Sequence, residues 1–447
     1  MQICYYGDDF TGSTDALEAL LNGGLRVILF MDVPDLALWN EKFREYDGFG
    51  VAGVSRTMSP REMERTLKPA LAALRKFGSR IVHYKICSTF DSSPETGSIG
   101  KAIDIGRELF PEQRYIPLLA GAPALKRYTV FGNHFCGAGE HTVRLDRHPN
   151  MSRHPVTPMN EADLRLHLTK QTAKSIGLMD ILDLELDGPM LEQRHNQRCG
   201  SRPDILLFDV LTDEHLLKIG GLLSRESERA PLFAVGSSGI EYALVKHWRR
   251  SGKLPPVPPA FQAEPADRLL VISGSCSPVT QDQIEWAQNH GFAGIRIHAD
   301  SMLEGGADTD ALEQAERLLR DGRNVILYTA LGPEDVSIVQ TQEWLQAHGF
   351  GTAESGKLIG SRLGEAAKKL LLSSGLKRVV IAGGDTSGFA VKQLGVYALE
   401  MIAPLVPGGP LCRAYSGDDR LDGLEIVLKG GQVGQETFFE QVRMGKA

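Results

Sequence analysis

The sequence has little of what marks several classes of protein. Its six cysteines are scattered without a C-x-x-C pair, which argues against a zinc ribbon and against a disulfide framework. No uncharged apolar run approaches the roughly 20 residues that span a bilayer, and no basic stretch followed by an apolar segment marks a signal peptide. The sequence therefore predicts a cytoplasmic protein with no membrane partner.

An excess of positive charge is also missing. Lys and Arg number 49 against 56 Asp and Glu, which gives a net charge of −7. This balance argues against a nucleic-acid partner bound by bulk neutralisation of phosphates. A small anionic ligand stays compatible with it, because a few lysines and backbone amides in a cleft suffice. The oligomeric state is left open, and a homo-oligomer is compatible with these features.

What the chain does contain is an alternation of apolar, β-branched runs with helical patterns. Runs such as Arg26–Asp32, Arg80–Thr89 and Arg378–Gly383 are separated by segments with helical spacing, for example Met58–Phe77. Near-continuous apolar strands separated by helices indicate parallel sheets covered on both faces. The stretch 250–267 breaks this rhythm with five prolines in eighteen residues, too many for a helix or a central strand.

The predicted fold class is therefore α/β. Two domains, residues 1–249 and 268–447, are joined by the proline-rich linker 250–267. Each domain is expected to hold a mainly parallel sheet flanked by helices, with a cleft between the domains. In open α/β sheets, ligands bind beyond the carboxyl ends of the strands, so the residues that follow each strand are the informative ones.

In the first half, the strand ends carry charge. Asp8 and Asp9 follow the first strand, Arg56 follows a second, Lys85 ends a third, and Ser237-Ser238 precedes a helix. Carboxylates can accept hydroxyl protons, and Arg and Lys can hold an acid. This set suits a small molecule with hydroxyl and carboxylate groups, although a single Asp at such a place is more often a helix cap.

In the second half, three strand ends are small, hydroxyl-rich and glycine-rich. They are Ser273–Ser277, Gly383–Gly388 and Lys429–Gly434. Such turns let backbone N–H groups approach an anion, helped by the helix dipole. Three in one domain indicate a polyphosphate, and Lys429 strengthens this interpretation. Each turn alone could equally be an ordinary tight βα turn.

Several motifs are incomplete. Gly351–Leu358 nearly spells a Walker A loop, but Leu358 stands where Ser or Thr is needed and no strand precedes it. No G-x-G-x-x-G follows the first strand, which disfavours a dinucleotide-dependent dehydrogenase. The Ser237 region is not G-x-S-x-G, which disfavours a hydrolase. His134, His141, His148 and His154 lack metal-ligand spacing, so we interpret them as surface or substrate-edge residues.

Seven motifs in order resemble the four-carbon acid sugar kinase family, which includes 3-oxo-tetronate, D-threonate and D-erythronate kinases. The motifs span nearly the whole chain: GDDFTGSTD (Gly7–Asp15), SRTM (Ser55–Met58), YKICSTFDS (Tyr84–Ser92), GSIG (Gly97–Gly100), GSCS (Gly274–Ser277), GGDTSG (Gly383–Gly388) and KGGQVG (Lys429–Gly434). The resemblance implies an N-terminal domain for the sugar acid and a C-terminal domain for ATP. Two features depart from the usual pattern: Val433 replaces a common Phe, and 131–157 resembles an insert of one subgroup.

Carried over motif by motif, the resemblance implies two sets of site residues. The sugar acid would be held by Asp9, Arg56, Lys85, Ile86, Cys87 and Ser88. ATP would be held by Ser275, Gly383, Gly384, Asp385, Thr386, Lys429, Gly430, Gly431, Gln432 and Val433.

The predicted function is ATP-dependent phosphorylation of a hydroxyl on a small sugar acid. Asp9 would orient the hydroxyl and take its proton, with Asp8 as the other candidate. Mg²⁺ is expected with ATP; its protein ligands are unknown, and Asp385 is only one candidate. A branched oxo-acid such as 3-oxo-isoapionate is an alternative substrate, and a non-catalytic binding protein is the main alternative in another class.

Overall fold

The computed structural model describes residues 1–154, 156–254, 263–298, 308–350 and 352–446. The chain divides into two compact units. Unit 1 comprises Met1–Ile28 and Asp32–Val257, and unit 2 comprises Leu29–Met31 and Pro258–Ala447. Most of the proline cluster of the predicted linker, residues 255–262, lies outside the described residues.

Unit 1 is built on a parallel sheet. Along the first 257 residues the strands are β1 Ile3–Gly7, β2 Val27–Phe30, β3 Gly48–Ala52, β4 Ile81–Lys85, β5 Ile116–Leu119, β6 Arg127–Val130, β7 Asn133–Ala138, β8 His141–Arg144, β9 Ile176–Met179, β10 Ile205–Phe208 and β11 Leu232–Gly236. The main sheet has the order β3-β1-β4-β11-β5-β10-β9, with parallel neighbours. Its central strands are fully buried, as their continuous apolar runs predict.

The helices of unit 1 cover this sheet. They are α1 Phe10–Asn22, α2 Leu36–Leu38, α3 Pro60–Lys76, α4 Ile99–Leu109, α5 Leu164–Leu168, α6 Ile181–Glu185, α7 Gly188–Gly200, α8 Asp213–Arg229 and α9 Gly239–Arg250. Helix α3 shows how the sequence sets the start and the buried face of a helix. Ser59 and Glu62 form a reciprocal capping box and Pro60 takes the first helical position. Its buried residues Met63, Leu67, Leu71 and Leu74 recur at helical spacing.

A separate three-stranded antiparallel sheet, β6-β7-β8, was not predicted. It overlaps the 131–157 insert. With Thr157 as N-cap and Pro158 as first helical position, the sequence predicts a helix over Asn160–Gln171. These bounds are wrong, because the structure has only the shorter α5 there, capped by Asp163. The cause is local: Asp163 bridges Asn133, and the Ala162 carbonyl accepts from the His134 N–H at 2.8 Å, so the backbone before α5 extends along this small sheet.

Unit 2 has a mixed sheet. Its strands are β12 Leu270–Ser273, β13 Ala293–Arg296, β14 Val325–Tyr328, β15 Arg378–Ala382, β16 Val396–Val406, β17 Gly409–Ser416 and β18 Glu425–Lys429. The strands β13-β14-β12-β15-β18 are parallel neighbours, and β18-β17-β16 continue antiparallel. Leu29 and Phe30, which belong to this unit, pair antiparallel with Leu399 and Ala398.

The described helices of unit 2 are α10 Pro278–Asn289, α11 Thr309–Arg320, α12 Val336–Ala347, α13 Thr352–Ser374, α14 Gly384–Gln393 and α15 Phe438–Met444. Helix α13 contains most of the Walker-like stretch, which is therefore helical instead of a phosphate loop. The long hairpin of β16 and β17 was not predicted. The α/β fold class of the chain is confirmed.

Candidate active site

In unit 1, four strand ends are level with one another at one edge of the sheet. Gly7, the last residue of β1, is opposite Ala52 of β3 and Lys85 of β4, and Lys85 is in turn opposite Gly236 of β11. Parallel strands end at a common edge, so the loops that follow them meet. The charged residues predicted from separate parts of the sequence are brought together there.

Arg56 binds both aspartates. Its Nε and Nη2 donate to the two carboxylate oxygens of Asp8 at 3.2 and 2.8 Å, and its Nη1 donates to Asp9 Oδ2 at 2.8 Å. Backbone bonds fix the loops as well: the Arg56 N–H donates to the Asp8 carbonyl at 2.9 Å, and the Asp8 N–H donates to the Lys85 carbonyl at 2.8 Å. Bidentate pairing is the strong, geometrically specific form of this interaction.

Asp9 is also the N-cap of α1. Its Oδ1 accepts from the Gly12 N–H at 2.7 Å, as a capping aspartate should. Gly12 leaves the room that this arrangement needs. A Cβ at that position would lie 2.5 Å from Asp9 Oδ1 and 3.1 Å from Lys85 Nζ. The capping role and a role in chemistry are thus compatible for Asp9, because only one of its oxygens caps the helix.

Lys85 completes what we call the charged corner: Asp8, Asp9, Asp15, Arg56 and Lys85. Its Nζ lies 3.3 Å from Asp15 Oδ2, and its side chain is almost fully buried. Burial alone would lower the pKa of Lys85, but the surrounding Asp15, Asp8 and Asp9 carboxylates outweigh it and raise the pKa. Burial would likewise lower the pKa of Arg56, but the carboxylates of Asp8 and Asp9 outweigh burial, so that the pKa of Arg56 is raised. Both cations therefore stay charged.

The two aspartates differ in access. The Asp8 side chain is 4% exposed and the Asp9 side chain is 27% exposed. Burial raises the pKa of Asp8, and the Arg56 charge opposes this rise. Of the two carboxylates, Asp9 is the one that a ligand can reach.

The loop after β4 carries the other predicted acceptor residues. Ile86 is fully buried, and its N–H donates to the Gly236 carbonyl at 2.8 Å. Burial raises the pKa of the Cys87 thiol to about 12, so this cysteine is not a nucleophile near neutral pH. Ser88 is partly exposed. Ile86 and Cys87 therefore shape this loop, and Ser88 has a side chain available to a ligand.

In unit 2, three strand ends are also level. Ser273 of β12 is opposite Ala382 of β15, which is opposite Lys429 of β18. The turns that follow, Gly274–Ser277, Gly383–Thr386 and Lys429–Gly431, form what we call the three-turn cluster. A Cβ on Gly431 would lie 3.0 Å from Ser275 Oγ, and one on Gly274 would lie 3.1 Å from Thr386 Oγ1. The three predicted phosphate turns therefore do converge.

Hydroxyl groups and one lysine line this cluster. Lys429 Nζ donates to Thr280 Oγ1 at 3.0 Å. Thr280 Oγ1 donates to the Gly431 carbonyl at 3.0 Å, and Ser277 Oγ donates to the same carbonyl. Ser275 Oγ lies 3.1 Å from Thr280 Oγ1. Ser277 caps α10 and Pro278 begins it, a position that suits proline.

Lys429 lacks an acidic partner among the residues that the structure describes. It is 1% exposed, and burial lowers its pKa to about 7. A buried ammonium is costly unless it is paired. An anion that binds beside Lys429 would therefore supply the partner that its ammonium group lacks within the described residues.

The second turn offers further donors. Gly383 has φ 135°, and a Cβ there would lie 2.2 Å from Thr386 Oγ1, so glycine is required. Helix α14 begins at the next residue and directs its first N–H groups to this side. Thr386 is 8% exposed, and its hydroxyl has no hydrogen-bond partner in the described part of the chain.

The remaining predicted nucleotide residues lie around these turns. Gly384 is the first residue of α14. The Val433 N–H donates to the Gly430 carbonyl at 3.2 Å, and Gln283 Nε2 donates to the Val433 carbonyl at 2.9 Å. Gln432 follows Gly431 in the same turn. The side chain of Asp385 lies outside the described residues. Within the described ranges, no group of three or more His, Cys, Asp or Glu side chains could hold a metal ion.

Sequence reasoning missed three polar residues. Asp15 was quoted within the first motif without a role, yet it is the carboxylate nearest Lys85. Thr280 and Ser277 hold the Gly431 carbonyl. The signal for Thr280 was its place two residues after Pro278, which puts it on the first turn of α10, beside the cluster.

Comparison with known proteins defines the class. Residues 3–244 match a family described as a sugar-binding N-terminal domain, and residues 270–439 match one described as a nucleotide-binding C-terminal domain. The chain belongs to the four-carbon acid sugar kinase family, and its class as a sugar-acid phosphotransferase that uses ATP is as predicted.

Two relatives match nearly from end to end. The chain is 46% identical to the 3-oxo-isoapionate kinase of Paraburkholderia graminis, over 99% of this chain and 94% of that protein. It is 30% identical to a 3-oxo-tetronate kinase of Pseudomonas savastanoi pv. phaseolicola, over 97% of this chain and 94% of the relative.

A solved structure of a Haemophilus influenzae protein has the same fold. Its TM-score is 0.75 at 22% identity, with 98% of this chain and 99% of that chain covered. Of the helices that the structure describes, none is long and apolar enough to cross a membrane.

Proposed function

We propose that the chain transfers the γ-phosphoryl group of ATP to a hydroxyl of 3-oxo-isoapionate or a closely similar branched oxo-acid sugar, with 3-oxo-tetronate as the second candidate. The observation that carries the choice is the 46% identity to a kinase named for 3-oxo-isoapionate, against 30% for one named for 3-oxo-tetronate. The motifs alone had favoured 3-oxo-tetronate, with 3-oxo-isoapionate as the alternative.

The charged corner is proposed to hold the acceptor. Arg56 and Lys85 can donate to the carboxylate or oxo oxygen of the acid, and Ser88 can donate to another of its oxygens. Asp8 grips the guanidinium of Arg56 with both oxygens, so Arg56 can exchange its Nη1 bond to Asp9 for one to the acceptor without losing its orientation. This exchange would free an oxygen of Asp9.

Asp9 is the proposed general base. In the reaction, the acceptor hydroxyl oxygen forms a bond to the γ-phosphorus while the bond from this phosphorus to the β–γ bridging oxygen breaks. ADP leaves with that electron pair, and the hydroxyl proton passes to Asp9. Phosphoryl transfer asks the protein mainly for alignment and for stabilisation of charge. Asp9 is chosen over Asp8 because more of its side chain is exposed.

The three-turn cluster is proposed to hold the phosphates of ATP. Lys429, the hydroxyl of Thr386 and the first N–H groups of α14 are donors without an anionic partner among the described residues. Ser275 and the turns Gly383–Thr386 and Gly430–Val433 would surround the same phosphates. Mg²⁺ would arrive on ATP; the described residues contain no group of three or more His, Cys, Asp or Glu side chains that could hold it, and no protein ligand for it is assigned.

Coupled ADP release with a panel of acids tests this proposal. The panel contains 3-oxo-isoapionate, 3-oxo-tetronate, D-threonate and D-erythronate, and water is the blank. We expect release that depends on the acceptor and is fastest with 3-oxo-isoapionate. Release that no acid stimulates, together with tight binding of an acid, would favour the non-catalytic binding protein instead.

A further inference from the structure

His134 is a buried histidine that the proposed chemistry does not use. It lies in β7 and is fully buried, so of the two positions that the sequence suggested, surface or substrate edge, it does not lie at the surface. Its Nε2 lies 2.8 Å from the Ser88 carbonyl, and its Nδ1 lies 3.0 Å from Thr129 Oγ1. A carbonyl only accepts, so Nε2 carries the proton. The neutral ring then accepts at Nδ1 from the Thr129 hydroxyl.

The surroundings of this ring are rigid. The backbone N–H of His134 donates to the Ala162 carbonyl at 2.8 Å. Thr129 exchanges both backbone hydrogen bonds with Val210, at 2.9 and 2.8 Å, and Val210 follows β10 of the main sheet. A chain of bonds therefore runs from the main sheet through Thr129 and His134 to Ser88. Burial lowers the pKa of His134 to about 4, so the ring keeps this neutral form near pH 7.

The loop that receives this bond is strained. The Phe90 N–H donates to the Cys87 carbonyl at 3.0 Å, which closes a tight turn with Ser88 and Thr89 as its central residues. Phe90 has φ 61°, a left-handed conformation that is unfavourable for a residue other than glycine. A loop in such a conformation persists only when its surroundings hold it. His134 supplies one such restraint from outside the loop.

We propose that His134 is a positioning residue for the acceptor, and that the small β6-β7-β8 sheet uses it to hold the Lys85–Ser88 loop in its binding conformation. This inference rests on the proposed function, because Ser88 is assigned to the acceptor there. It also explains what the 131–157 insert does, since the insert would support one wall of the acceptor site from behind.

Three variants separate positioning from general stability. His134→Leu removes both ring hydrogen bonds. His134→Gln keeps a donor near the place of Nε2. His195→Leu is the matched control, because His195 is also buried, has a pKa lowered by burial to about 4, and hydrogen-bonds Tyr115 OH at 2.7 Å. Tyr115 precedes β5, so this pair lies at the opposite edge of the sheet from the charged corner.

Two measurements are made on each full-length variant: hydrogen exchange of the 86–92 backbone without ligands, and steady-state kinetics with the best acid of the panel. For His134→Leu we expect exchange about tenfold faster and an acceptor KM about tenfold higher, the effect of one ordinary hydrogen bond. The ATP KM should not change. His134→Gln should recover most of both effects, and His195→Leu should show neither.

Unchanged exchange at 86–92 in His134→Leu would overturn the inference, and so would equal rises of the acceptor KM in His134→Leu and His195→Leu. The exchange measurement needs no substrate. It therefore decides the role of His134 in the loop even if no acid proves to be phosphorylated, an outcome that would defeat the proposed function alone.

Discussion

The two candidate binding sites, one in each unit, differ in how their charges are satisfied. In the charged corner, Arg56 and Lys85 already face carboxylates at 2.8 to 3.3 Å. In the three-turn cluster, the Lys429 ammonium meets only a hydroxyl, and the Thr386 hydroxyl has no partner within the described ranges. The charged corner is held in shape by its own ion pairs, and the three-turn cluster keeps donors unsatisfied until an anion arrives. A ligand of the charged corner must therefore compete with carboxylates for Arg56 and Lys85. An anion at the three-turn cluster would instead satisfy donors that have no anionic partner among the described residues.

The sharpest test of the charged corner is Asp9→Asn. Asparagine is also a good N-cap, so the fold should persist while the general base is lost. We expect turnover to fall about 10²-fold or more, with the ATP KM unchanged. Asp35→Asn is the control, because Asp35 is also a capping aspartate, of α2, and is not one of the residues of the charged corner. Near-normal turnover in Asp9→Asn would remove Asp9 from the chemistry.

Lys85→Met tests whether the corner binds the acid. We expect the acceptor KM to rise about 10- to 100-fold, because a charge-assisted hydrogen bond is lost. The free energy of unfolding should fall as well, since Asp15 loses its buried counter-charge. An acceptor KM that stays constant while the unfolding temperature drops would make Lys85 purely structural.

Lys429→Met tests the three-turn cluster. The ATP KM should rise roughly tenfold or more through loss of a charged donor, while the acceptor KM stays constant. Lys357→Met is the control: Lys357 is the lysine of the Walker-like stretch, but it is exposed on α13. An ATP KM that responds to Lys357 and not to Lys429 would contradict the assignment of the phosphate site.

The same lysine predicts a pH effect. Because the pKa of Lys429 is about 7, the Lys429 ammonium of the free enzyme loses its proton as the pH rises above 7. A bound phosphate favours the charged form of this lysine. Affinity for ATP should therefore weaken above pH 7, by up to about tenfold per pH unit, with proton uptake on binding measurable by calorimetry. Lys429→Arg stays charged and should abolish this dependence; if the variant retained it, another group would be responsible.

The smallest expected effect comes from Thr386→Val. The lost hydroxyl has no protein partner in the described structure, so the free energy of unfolding should stay constant or rise slightly. The ATP KM should rise a few-fold, the cost of one neutral hydrogen bond. Thr280→Val should instead lower the free energy of unfolding, because Thr280 is bonded to Lys429 and Gly431. Equal losses of unfolding free energy in Thr386→Val and Thr280→Val would contradict the prediction that only the Thr280 hydroxyl stabilises the fold.

The convergence of the strand ends was predictable, and the pairing within it was not. Alternation of apolar strands and helices predicts a common carboxyl edge, which correctly gathered Asp8, Asp9, Arg56 and Lys85. That Arg56 would bind both aspartates depends on side-chain conformations that periodicity does not encode. From the sequence, Arg56 was predicted to bind the ligand, and no ion pair with Asp8 or Asp9 was predicted.

The β6-β7-β8 sheet shows why some structure escaped prediction. Its first hairpin turns through Phe131 and Gly132, with φ 52° and 80°, a pair of left-handed residues usually written Asn-Gly. Because Phe131 takes the place where Asn is usual, the sequence contained no turn signal here. The β16–β17 hairpin was also missed, although the sequence contains a signal for it: Pro407-Gly408, a common turn pair, stands between two apolar runs.

The assignment of Leu29–Met31 to unit 2 bears on how the protein can be dissected. A recombinant C-terminal fragment cut anywhere in the proline-rich stretch would leave this short segment behind, and part of β16 would lose its neighbour. An uncapped strand edge recruits other chains. Such a fragment should self-associate or precipitate, and adding back a peptide that spans positions 27–32 should keep it in solution.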